Sequence, residues 1–95
     1  MIFVPNGFSR QVIEDNGLQY EDLVCIEELS ELIKVITKSN RYGMERQHGN
    51  IVEEIADVYI CLKHLQVSRD LDDGEIQHEI NRKIDRYLNG GDEPT

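Results

Sequence analysis

The chain has 95 residues, of which 39% are hydrophobic and 31% charged, and a formal net charge of −9. This length predicts a single domain over residues 1–91, with a core small enough that association between copies often has to extend it, and a flexible tail at 92–95. The balance is too apolar in blocks for a disordered acidic segment, contains no run of membrane-helix length, and lacks the basic surface that a nucleic-acid backbone requires.

Met1-Ile2-Phe3-Val4 has no basic flank and is cut short by Pro5-Asn6-Gly7; it does not read as a signal peptide, and a cytoplasmic location is expected. Asn6-Gly7 and Asn16-Gly17 bracket a short helix around residues 9–15, with Gly17 suited to a left-handed stop. Residues 19–39 hold no Gly or Pro, and Leu23, Ile26, Leu29, Leu32, Ile33 and Ile36 recur at helical spacing. A polar loop is expected from Asn40 to Gly49. Asn50 with Glu53 three positions later has the pattern of an N-cap and capping box, opening a helix that runs to about residue 66 or 68. Asp72 and Glu75 repeat that signal. The helix after them carries Ile76, Ile80, Ile84, Tyr87 and Leu88 on one stripe and is closed by Gly90-Gly91. No segment alternates with a period of two, so the expected fold is all-α: an antiparallel bundle of three main helices and a short N-terminal one, completed by dimerisation.

Two of these helices carry acidic pairs in matching settings: Glu27-Glu28-Leu29-Ser30-Glu31, then Glu53-Glu54-Ile55-Ala56-Asp57, twenty-six positions on. Apolar residues repeat with the acids, Ile26 falling on Val52, Leu32 on Val58 and Val35 on Cys61. At 100° per residue, Val24, Cys25, Leu32 and Val35 lie within about 60° of Glu28, and Ile51, Val58, Cys61 and Leu65 surround Glu54 in the same way. Glu31 and Asp57 sit at the edges of these arcs; Glu27 and Glu53 lie further toward solvent. In an antiparallel hairpin the two acidic groups are nearly equidistant from the turn and meet at one level.

Opposed carboxylates about 5 Å apart repel by roughly 3 kcal/mol at an effective dielectric of 20, so such a cluster calls for shared protons or bound cations. Lys34 and Lys38 point elsewhere on the helix. An acid-only, all-oxygen site suits the hard ions Mg2+ or Mn2+. Cys25 and Cys61 stand among apolar residues without metal or redox spacing and read as buried free thiols.

EExxE followed by ExxD on consecutive helices resembles the signature of the MazG-like all-α nucleoside triphosphate pyrophosphohydrolases, over about residues 19–88. The resemblance implies Mg2+ ligands at Glu28, Glu31, Glu54 and Asp57. It also implies a phosphate-side N-x-K-x-x-R element at Asn81, Lys83 and Arg86, a nucleoside triphosphate substrate, and a homodimer or tetramer. Glu27, off the apolar arc but near Glu31, is the candidate for orienting or deprotonating the attacking water. The chain departs from the pattern in two places. Leu23, Val24 and Cys25 stand where some relatives carry a basic residue, and there is no Trp to stack on a base.

Two rival readings remain. Glu45 to His48 and Glu75 to His78 have the ExxH spacing of di-iron bundles, but the first falls in the polar loop and His78 lies opposite the apolar stripe of its helix. His64, about 80° from Glu54, reads as a partly exposed surface histidine. The rival from another class is a non-catalytic helical interaction protein with solvated acids.

Overall fold

Gly17 and Gly43, with φ of 90° and 101°, divide the first half of the chain. Both adopt backbone conformations that a side chain disfavours, and their N–H groups close the preceding helices on Ile13 and Ser39 carbonyls. A computed structural model describes residues 1–90. Its elements are α1 (Asn6–Asn16), α2 (Leu18–Tyr42), a 3-10 turn at Glu45–Gln47, α3 (His48–Ser68) and α4 (Asp73–Leu88), with no strand among the described residues. No described helix is long and apolar enough to cross a membrane. Gly91 and the expected tail at 92–95 lie outside the described residues.

The all-helical expectation holds, with a correction at the start of α3. α3 opens two residues before Asn50, with Gln47 as N-cap and no side-chain cap. Asn50 is inside the helix and donates to Gln47 Oε1 at 3.1 Å; the expected capping box is absent because the 3-10 turn feeds directly into the helix. That turn also replaces part of the expected loop. At α4 the capping box is present: Asp72 accepts from the Glu75 N–H and Glu75 accepts from the Asp72 N–H.

α2 and α3 form an antiparallel hairpin. Its interior is built from Cys25 and Val35 facing Val58 and Cys61, all buried. Cys25 donates to the Cys61 carbonyl at 3.4 Å. Beyond them, Arg69 clamps the open end with two bonds to Asp22, 2.8 and 2.9 Å, and the guanidinium holds the Asp22 carboxyl below its usual value.

α1 packs across the open end through a polar contact. Ser9, fully enclosed, lies 2.8 Å from His64 Nδ1, and His64 Nε2 faces Glu21 Oε1 at 3.8 Å. Asn16 donates to the other Glu21 oxygen at 3.2 Å. The imidazole and the Ser9 hydroxyl share a hydrogen bond at Nδ1, and the ring turns Nε2 toward Glu21. His64 is therefore a buried strut between three helices rather than the surface residue expected, and burial lowers its pKa against the opposing pull of Glu21. The order Ser, His, acid is that of a nucleophilic triad, but Ser9 has no exposed surface and reaches no substrate.

The expected bundle of three main helices is not formed within one chain. No Cα of α4 comes within 8 Å of another helix. α4 is tethered through Asp73, which accepts from Gln66 and Lys63, and its apolar stripe stays exposed.

Both cysteines are free and buried, as expected. Burial raises the Cys25 thiol above its usual range and pushes Cys61 up to about 12. The thiolate is the reactive species, so neither thiol should react with Ellman's reagent in the native protein at pH 8, and both should in denaturant. Rapid native labelling of either would contradict this packing.

Candidate metal centre

Glu28 on α2, and Glu54 and Asp57 on α3, meet midway along the hairpin. One carboxylate oxygen from each lies within 4.8 Å of the others, and all three side chains are half-buried. The placement follows from helix periodicity. Glu28 lies on the line of Cys25, Leu32 and Val35, so it is carried inward with them; Glu54 shares its line with Val58 and Cys61; Asp57 stands one turn on at the edge of that face.

The carboxyl groups disfavour one another's charge. Burial, a hydrogen bond with Asp57, and the charges of Asp57, Glu54 and Glu31 raise the Glu28 pKa. Burial and the charges of Asp57, Glu31 and Glu53 raise that of Glu54. No lysine or arginine is among the groups that shift either of them. Glu54 Oε2 is enclosed and has no hydrogen-bond partner among the described residues. A buried acceptor without a donor is costly, and a hard cation is a partner that suits an all-carboxylate donor set.

Glu31 stands at the margin. Its charge reaches Glu28 and Glu54, but its side chain is half exposed and pairs with Lys34 at 3.2 Å. Lys34 thus touches the rim of the cluster, contrary to the expectation that it points elsewhere. Glu27 and Glu53 are exposed on the outer side. Asn81, Lys83 and Arg86 are carried by α4, which makes no close backbone approach to the hairpin; Asn81 accepts from Gln77. The two ExxH pairs contribute nothing to the centre: Glu45, His48, Glu75 and His78 are all exposed.

Sequence reasoning missed the Ser9–His64–Glu21 strut. The signal was an acid and a histidine on the facing sides of a predicted hairpin, but only the path of α1 supplies Ser9. No family model matches the chain, and neither a curated protein nor a solved structure matches it.

Proposed function

We propose that this chain is a Mg2+- or Mn2+-dependent nucleoside triphosphate pyrophosphohydrolase of the MazG-like kind. It would add water across the anhydride between the α and β phosphates of an NTP or dNTP, giving the nucleoside monophosphate and pyrophosphate. The observation that supports this best is the meeting of three carboxyl groups from two helices around an enclosed Glu54 oxygen that lacks a donor. The motif resemblance supplies the reaction class.

Glu28, Glu54 and Asp57 would hold the ions, with Glu31 joining from the rim by releasing Lys34. Bound divalent ions would supply the positive charge that the acids lack toward a triphosphate, together with the acidity that activates water. Glu27, exposed beside the cluster, is assigned to orient the attacking water and take its proton. Asn81, Lys83 and Arg86 are assigned to the phosphates on the resemblance alone, and that role requires an approach of α4, from this chain or a second copy, to the acids. A dimer or tetramer in the cytoplasm belongs to the same reading.

The test is a panel of canonical and modified NTPs and dNTPs with Mg2+, scored for pyrophosphate. Release from at least one member, absent in chelator, is expected; a blank panel at high enzyme concentration counts against the activity. The second reading, a non-catalytic assembly protein, is favoured by the extent of exposed apolar surface on α2 and α3. The hydrolase must bind divalent ions at the acids and the assembly protein need not, which separates the two.

A further inference from the structure

α1 encloses one side chain against the hairpin, and that side chain is a serine. Ser9 is the single buried residue of the helix; Phe8 is exposed, and Val12 and Ile13 are half-buried. The apolar contribution to docking is small, so the helix depends on the polar contact beneath it. His64 is 4% exposed and Glu21 5%. Ser9 meets Nδ1 at 2.8 Å, whereas Glu21 Oε1 stands 3.8 Å from Nε2, beyond hydrogen-bond reach, and the other Glu21 oxygen is taken by Asn16. An enclosed imidazolium needs a close acceptor at each nitrogen and finds one at Nδ1 alone. The site therefore suits the neutral ring. Gly17, with φ of 90°, is the one residue between α1 and α2.

We infer that this contact is a pH-sensitive latch: in mildly acidic solution a proton taken up by His64 frees α1 from the hairpin, with Gly17 as the hinge. Ile2, Phe3 and Val4, which precede α1 and line an apolar groove on α3 with Ile55 and Tyr59, leave with it and uncover that surface. The charges around the ring favour this outcome. On α1, Arg10, Glu14 and Asp15 are exposed. On α2, Glu21 is the facing charge, while Asp22 is held by Arg69 of α3. Lys63, beside His64, turns to Asp73 of α4. The nearby thiols of Cys25 and Cys61 are raised by burial and stay neutral. Burial lowers the His64 pKa, and the charge of Glu21 only partly opposes it. Docking is then at full strength above about pH 6.5, the ordinary value for histidine, and weakens as pH falls below it until the docked value is passed.

The latch needs neither metal nor nucleotide and is tested on the full chain in chelator, so its failure leaves the acidic centre untouched. A helix of 11 residues is marginal in water once undocked, so release reads out as amide hydrogen exchange. From about pH 7.5 to about 5.5, protection of residues 6–16 relative to α2 and α3 should fall severalfold, up to about tenfold for each unit by which His64 is depressed. The His64 C2 proton, assigned through its contact with the Phe8 ring, should titrate below about 6.5. His64→Gln, which keeps a neutral hydrogen-bonding side chain, should remove the pH dependence of α1. Protection of α1 that holds or rises in acid overturns the proposal, as does a His64 that titrates at or above its ordinary value. The same loss of protection in His64→Gln also overturns it. Should that variant leave α1 undocked at every pH, the exchange and titration of the unaltered chain decide the matter.

Discussion

Replacing Glu54 by alanine is expected to abolish pyrophosphate release, by on the order of 10³-fold, while circular dichroism shows the helices retained. Several kcal/mol of transition-state charge stabilisation depend on divalent ions in such a reaction, and each 1.36 kcal/mol is about tenfold in rate. Glu54 is central because one of its oxygens is enclosed with no hydrogen-bond partner among the described residues. Glu28→Ala should fall as far, because Glu28 supplies the α2 side of the same cluster. Glu54→Gln separates shape from charge, since it keeps the volume, and should be as inactive as alanine. Full turnover by Glu54→Ala, or by the unaltered protein in excess chelator, removes the hydrolase reading.

Mg2+ or Mn2+ should raise the melting temperature, and Glu54→Gln should remove that response while itself stabilising the metal-free protein. A ligand held only by the native state stabilises it by about 2.7 kcal/mol at a hundred times its dissociation constant, on the order of 10–20 °C for a chain of this size. The opposite sign for the metal-free variant follows from the raised pKa of Glu54. Folding disfavours its charged form, first by burial and then by the charges of Asp57, Glu31 and Glu53, so a neutral isostere folds without that penalty. Scanning fluorimetry in chelator and in millimolar Mg2+ reads both effects. A melting temperature unmoved by metal in the unaltered protein would leave the acids as a solvated cluster.

Much of this site was visible in the residues before any coordinates. Glu28 and Glu54 interrupt stripes of Cys, Val and Leu at helical spacing, and a charged residue on an inward stripe must arrive wherever its apolar neighbours pack. The level at which the two acidic groups meet followed from their nearly equal distances from the loop around Tyr42 to Met44. The start of α3 was misjudged because Asn50 and Glu53 satisfy a local capping rule, whereas the helix begins where the 3-10 turn delivers it, at His48. Helix angle placed His64 on a flank of α3 without revealing that α1 would cover that flank.

Local periodicity therefore determined the helices, the buried thiols and the convergence of Glu28, Glu54 and Asp57, because each depends on residues within a few turns of one another or on a single antiparallel pairing. The tertiary structure alone decided that Ser9 and His64 join under α1 and that α4 stays off the hairpin. These depend on the paths of connections between helices, and apolar side chains that bury without directional preference leave several such paths open until the whole chain is packed.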